Sequence, residues 1–446
     1  MKRRGDEKDR FCSSPSMLDP IPLDLKMVRL PAKFRMKTHQ KKVLFPVEST
    51  VKREDIENQD DEKNRRPIKV DHFPLDLELA ILTRLPAKSL LKFLCVSKMW
   101  SSTIQSQRFV NSYYAMSCTI RSRFIITFAC GAQAKFEDRR LFVFSSSYEC
   151  EKSSSLATNL DMTIPSVSLC RGAYCTSVHG LIGCIKSGSF IVCNPSTKKF
   201  NILPFTGART SWAYDPVGDQ FKSLTMVSYP HRPPDHLVHE VLTFGGGGES
   251  SWTRNKLISP PHYTVTKSIC INGFVYYGAW TPTRSANPVI VCFDVRFETL
   301  SFIEAPRPVV WWGGESILME YKGKLASISR HPYADFQCFD LWILEDVKTH
   351  DWSKQTFQLP FSLGMGKNIT SPGTNKAGEI IFAPKLLSYN DVQPFYIFYY
   401  NVERKDIRRV RLLGIADDEE FRRRYGIAGE CYVWISPEHI ESIATL

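Results

Sequence analysis

Six strand–turn–strand units recur along this chain at nearly constant spacing, and few folds accommodate such a period. Ile191-Val192-Cys193-Asn194-Pro195 leads to Leu203-Pro204, and Ile290-Val291-Cys292-Phe293-Asp294 leads to Ala305-Pro306. Leu341-Trp342-Ile343-Leu344 leads to Leu359-Pro360, and Phe395-Tyr396-Ile397-Phe398 to Leu413. Looser copies begin at Leu141 and Val241, so the units start at 141, 191, 241, 290, 341 and 395, between 49 and 54 residues apart. A second strand pair precedes most of them, turning at His179-Gly180, Asn272-Gly273, Lys322-Gly323 and Ala377-Gly378. Glycine there supplies the positive φ of a tight hairpin. Two hairpins per period make four strands.

Four strands in about 50 residues is the size of a kelch-like blade. Six such blades close a ring with no long exposed sheet edge, so the expected fold of 117–446 is all-β, a kelch-like six-bladed β-propeller. The run Cys431-Tyr432-Val433-Trp434-Ile435 is placed to complete the first blade. An open or sandwich-like β domain is the alternative that shares the period. The 12% aromatic content suits strands, where flat side chains pack on a pleated surface.

Residues 67–116 read differently. Leu75, Leu79 and Leu82 form one helical stripe, and Leu77, Ile81 and Leu85 a second, so the first helix is apolar almost all round. Asp76 is positioned to cap its start and Pro86 to end it. A second short helix follows through Leu90, Leu91, Phe93, Leu94 and Cys95, and a third begins at the N-cap Ser97 with Met99, Trp100, Thr103 and Ile104. A three-helix, all-α module this small cannot bury so many apolar groups by itself. It needs a partner or the next domain.

Residues 1–66 are polar, interrupted by Pro20, Pro22, Pro31 and Pro46, and read as a disordered basic leader. Pro22-Leu23-Asp24-Leu25 and Arg29-Leu30-Pro31-Ala32-Lys33 partially copy Pro74-Leu75-Asp76-Leu77 and Arg84-Leu85-Pro86-Ala87-Lys88, with three fewer residues between the phrases. The loss turns the helix by about 300°, so the apolar faces no longer align, and the copy is expected to be degenerate.

The net charge of +12 is divided evenly: residues 1–69 hold 18 Lys/Arg against 12 Asp/Glu, which leaves the folded part without a dense basic stripe. That argues against nucleic acid as a partner. No signal-like start and no 18-residue apolar run is present, so no membrane partner is expected. Thirteen cysteines without a Cys-x-x-Cys pair fit a reducing compartment, the nucleus or the cytoplasm.

Phe73 to Trp100 resembles the F-box across the whole motif: Pro74, Asp76 and Leu77, then Ile81-Leu82, Arg84-Leu85-Pro86, Lys88-Ser89-Leu90, and Val96-Ser97-Lys98 with Trp100. Ala80 and Leu94 depart from it, standing where glutamate and a basic residue are usual. The following domain resembles the type 3 F-box-associated domain of plants in Ser177-Val178-His179-Gly180-Leu181-Ile182, Val192-Cys193-Asn194-Pro195-Ser196-Thr197, Tyr214-Asp215-Pro216, Ile269-Cys270-Ile271-Asn272-Gly273, Val291-Cys292-Phe293-Asp294-Val295-Arg296 and Leu344-Glu345-Asp346.

The resemblance implies the substrate-recognition subunit of a Skp/cullin/F-box ubiquitin ligase, a non-catalytic adaptor. Its partners would be the Skp adaptor and a target protein. The implied adaptor-binding residues are Pro74, Leu75, Leu77, Ile81, Leu82, Leu85, Pro86, Leu90, Val96 and Trp100. Adjacent Trp311 and Trp312 cannot both point inwards along one strand, which makes them candidates for target contact. The alternatives are a propeller enzyme or sugar-binding protein with an incidental helical leader, and an F-box interaction protein working outside a ligase.

Other motifs are weaker. Gly245 to Gly248 lacks the Gly-Lys-Ser/Thr ending of a phosphate loop, and His231, His236 and His239 lack completing ligands, so neither cofactor nor metal is expected. Ser177 with His179 is not a nucleophile elbow, and Asp340, Glu345 and Asp346 read as turn carboxylates.

Overall fold

The computed structural model describes residues 74–444 apart from 130–138, 148–153, 166, 168–174, 187–188, 205–208, 228–234, 245–252, 284–285, 312–315, 331–337, 360–362, 364–367 and 388–391. The leader with its partial copy, Gly245 to Gly248, His231 and Trp312 lie outside the described residues.

The chain forms a helical module followed by a six-bladed β-propeller. Blade 1 orders Cys431–Ile440, Ser122–Ala129, Arg140–Ser147 and Asn159–Pro165, so a strand from late in the sequence closes the ring. Blade 2 is Cys175–Val178, Leu181–Lys186, Ser189–Asn194 and Lys199–Pro204; blade 3 is Arg209–Asp215, Gln220–Met226, Leu237–Phe244 and Thr253–Ser259. Blade 4 starts with Ile269–Ile271 and continues through Phe274–Thr281, Asn287–Asp294 and Thr299–Glu304. Blade 5 is Ser316–Tyr321, Lys324–Arg330, Cys338–Asp346 and Asp351–Gln358. Blade 6 is Thr370–Thr374, Ile380–Ala383, Tyr396–Asn401 and Asp406–Leu413, with Ser155–Ala157 added in parallel at its outer edge. The first strands of the six blades neighbour one another in a closed circle.

The period in the sequence is explained by this order. All six starting points, 141 to 395, fall at or within one or two residues of the third strand of a blade. The third strands of blades 2, 4, 5 and 6 end in a turn of one design. Asn194, Asp294, Asp346 and Asn401 each accept, through the side-chain oxygen, the backbone N–H groups two and three residues on. The residue four on, Lys198, Glu298, His350 or Lys405, takes a φ between 53° and 60°. Short polar side chains that mimic backbone acceptors suit such turns. The hairpins at His179-Gly180, Asn272-Gly273 and Lys322-Gly323 have both central residues at positive φ, as tight primed turns require.

Six apolar clusters hold the ring, one between each pair of consecutive blades. Middle strands are therefore covered on both faces and lose the simple alternation of a half-buried strand; Gln220–Met226 is buried from Phe221 to Met226. Outer strands keep a polar face, as Thr253–Ser259 does. One further helix, Glu419–Arg424, sets Phe421 and the following Tyr425 against Phe128, Phe142 and Phe144 between blades 6 and 1. The domain is thus not wholly free of helix.

In the module, α1 spans Leu75–Leu82, α2 Ala87–Phe93, α3 Lys98–Gln105 and α4 Gln107–Ile120. Ser97 caps α3 by accepting the Trp100 N–H at 3.1 Å, and Ser106 caps α4 through Phe109 N–H at 3.3 Å. Asp76 does not cap α1. The helix starts after Pro74 with no side-chain cap, and Asp76 lies inside the first turn, where its charge favours the helix dipole.

Candidate functional site

The module has its own interior and its own open apolar face. Leu82, Ala87, Leu90, Ile104, Phe109 and Tyr113 are buried together, and Trp100 packs edge-on against Phe93 at 4.8 Å. On the opposite side Leu75, Leu77, Ile81, Val96 and Met99 are each more than half exposed. Neither of the two stripes expected on the first helix stays whole, Leu75 leaving one and Leu85 the other. Leu79 and Leu82 turn inward; Leu75, Leu77 and Ile81 face solvent. Two of the expected contact residues, Leu82 and Leu90, are 4% and 0% exposed and support the face from beneath. Leu85 and Trp100 are half-buried against the same interior, while Pro74 and Pro86 are exposed.

Exposed Arg84, Lys88, Lys92 and Lys98 belong to the same helices and turns as the anchors. Val96 and Ser97, with Leu94 and Cys95, border a shallow groove that continues over Ser101 and Gln105 of α3. Apolar anchors within a charged rim are how a protein interface concentrates its energy. Such a face suits a partner with an apolar groove and acidic flanks.

The module sits on one end of the propeller. In blades 2, 4, 5 and 6, whose successive strands pair antiparallel, the first-to-second and third-to-fourth turns emerge at one end, and the second and fourth strands end at the opposite one. α4 meets the former. His179 is stacked between Tyr114 of α4 at 3.6 Å and Tyr214 at 3.5 Å, and Asn111 donates to Asp219 at 2.7 Å. Burial lowers the His179 imidazole to about 4, although Asp219 nearby pulls it the other way. Lys376, beside the Gly378 turn of blade 6, donates to the Cys118 carbonyl at 3.0 Å.

Trp311 lies at the other end, between blades 4 and 5, and is half-exposed; its backbone N–H donates to Ser316 Oγ at 2.8 Å. The remaining sequence candidates are structural. His236 is exposed, whereas His239 is buried and shares a 2.9 Å hydrogen bond with Ser259, so the two do not converge. No group of three metal-ligating side chains occurs among the described residues. Ser177 Oγ bonds His439 Nδ1 at 2.8 Å rather than His179. Asp340 pairs with Lys354, Glu345 with Lys324, and Asp346 holds its turn.

Sequence reasoning missed α4, whose signals were the Ser106 cap and Phe109, Tyr113 and Ser117 on one face. It also missed Glu441 and Ile443, which meet the module from the far end of the sequence.

Family comparison agrees with this arrangement. Residues 70–112 match the F-box domain, and residues 126–439 match the F-box associated beta propeller domain. F-box protein At1g30790 of Arabidopsis thaliana is 52% identical over 396 residues, covering 84% of this chain and 99% of its own. F-box protein DOR, from the same plant, is 35% identical over 77% of this chain and 88% of its own. F-box/kelch-repeat protein At4g19930, also of Arabidopsis thaliana, is 31% identical over 76% and 85%. The chain therefore belongs to the plant F-box proteins in which an F-box precedes an F-box-associated β-propeller.

Proposed function

We propose that this protein is the substrate-recognition subunit of a Skp/cullin/F-box ubiquitin ligase, working in the nucleus or the cytoplasm. The module docks on the Skp adaptor and the propeller holds a target protein; the chemistry of ubiquitin transfer belongs to other subunits. The observation that carries this reading is the division of the F-box into a finished interior and an exposed row of Leu75, Leu77, Ile81 and Val96. Single exposed apolar residues occur elsewhere on the chain, but a row of them on one small module marks an interaction surface. The target face is the end of the propeller away from α4, where Trp311 stands and where most of the longer connections between described strands begin. Loops on a rigid scaffold are the usual place for such selectivity.

Titration of the purified chain with a Skp adaptor tests the docking. Alanine at Leu77, Ile81 or Val96 should each weaken binding about tenfold or more, roughly 1.4 kcal/mol, with the unfolding midpoint unchanged. Leu90→Ala should instead destabilise the module by about 2–5 kcal/mol, because it leaves a cavity in a packed interior. Wild-type affinity in a folded Leu77→Ala/Ile81→Ala/Val96→Ala protein would exclude this docking face.

A further inference from the structure

The F-box interior is completed by residues that belong to the propeller. Beyond the closing strand of blade 1, Glu441 is buried beneath the module. One of its oxygens accepts from Arg123 Nη2 at 2.7 Å and from the Ala87 N–H, at the start of α2, at 3.3 Å. The other accepts from the Tyr113 hydroxyl of α4 at 2.9 Å and lies 3.5 Å from Arg121 Nε. Arg121 itself reaches the Thr83 carbonyl at 3.1 Å. Two residues on, Ile443 enters the apolar interior formed by Leu82, Leu90, Phe109 and Tyr113. The intervening backbone is gripped from blade 2, where Asn194 Nδ2 donates to the carbonyls of Ser442 at 2.9 Å and Ala444 at 3.0 Å.

We infer that Glu441 and Ile443 form a latch that fixes the angle between the F-box and the propeller, with Glu441 as its positioning residue. This deepens the ligase reading and rests on it for its purpose: a fixed angle holds a target at a set distance from the adaptor. Joined domains move relative to one another unless the interface between them is substantial and well packed. Here other polar attachments of the module, such as Asn111 to Asp219 and Lys376 to Cys118, are exposed and replaceable by water. The Glu441 cluster is not. Its carboxylate answers two guanidinium groups, a hydroxyl and a helix-start N–H at once, and its removal leaves buried donors unpaired.

The test uses the full chain, without adaptor, carrying two spectroscopic labels introduced as unnatural amino acids at exposed Arg108 on α4 and exposed Lys348 on blade 5, so that native cysteines and the docking face stay untouched. The wild-type distance distribution should be narrow. Glu441→Ala and Ile443→Ala should each broaden it at least about twofold, as expected of a freed interdomain angle, while the unfolding midpoint of the propeller moves little. Isosteric Glu441→Gln, which still accepts from Tyr113, should fall between, and it carries the test should the alanine variant not fold. A distribution as narrow as wild type in the folded variants overturns the latch. Adaptor titration of the same proteins keeps the two readings apart: loss of the angle with no adaptor binding by wild type would sink the ligase reading and leave the latch standing.

Discussion

Lowering the pH from 7 to 5 is expected to destabilise the folded chain by about 4 kcal/mol, chiefly through three histidines held neutral by burial. His239 and His179 are lowered to about 4 and His439 to about 3, in each case mainly because burial penalises the charged ring. An unfolded histidine titrates near 6.5. Below that pH the unfolded chain takes up protons that the folded chain refuses, so stability is fully present above about 6.5 and is lost as pH falls towards the folded values. Each fully buried ring contributes about 2 kcal/mol of loss between pH 7 and 5. His439 and His239 are 1% exposed and give the full effect; His179, partly open and beside Asp219, gives less. Charging His239 would also repel the stacked His262, 5.6 Å away. Asp161, Glu320 and Glu438 oppose the trend in part, since burial raises their carboxyls and favours the protonated form in the folded state. Urea unfolding at pH 7, 6 and 5 measures the slope, and His239→Gln should flatten it. A stability that stays level over this range would mean that the rings are not shielded from water.

Replacing Gly180 by alanine should cost about 4 kcal/mol, whereas the same change at Gly323 should cost only about 1–2. Each glycine is the second residue of the first hairpin turn of its blade, at φ values of +77° and +78°. The conformational penalty of a left-handed alanine is therefore shared. The surroundings differ. A Cβ at Gly323 meets nothing within 4 Å, while one at Gly180 would stand 2.3 Å from Ser442 Cβ and 2.9 Å from the Ile440 carbonyl. Backbone is in the way, so the segment carrying Glu441 and Ile443 must move, and their contacts with the F-box are weakened together. Paired denaturant titrations of the two variants isolate the second contribution by difference. Equal losses would show that the 440–443 segment is not seated against blade 2.

What could be read from the sequence was whatever repeats or is local. The Asn/Asp turn at the end of the third strand in blades 2, 4, 5 and 6 and the glycine of the first hairpin are chemical requirements satisfied within five residues, so their period survives in the chain. Ser97 was legible as a cap for the same reason. The inward or outward choice on α1 was not, because Leu75, Leu79 and Leu82 have the same chemistry and only α3 and α4 decide which of them is covered. Leu82 and Leu90, expected among the contact residues, lie in the interior for that reason. Glu441 carried no local signal at all: a lone glutamate after a strand reads as surface, and only its four donors, all of them more than 300 residues earlier in the sequence, make it interior.

That separation also has a consequence in time. The bond from Ala87 to Glu441 joins residues 354 positions apart, and the same late segment supplies Ile443 to the F-box interior and the first strand to blade 1. At the usual pace of translation the interval between α2 and Glu441 is roughly 20 to 70 seconds. Through that interval the four helices have emerged while part of their interior has yet to be synthesised. The F-box, though synthesised before the propeller, is thus among the last parts of the chain to be finished.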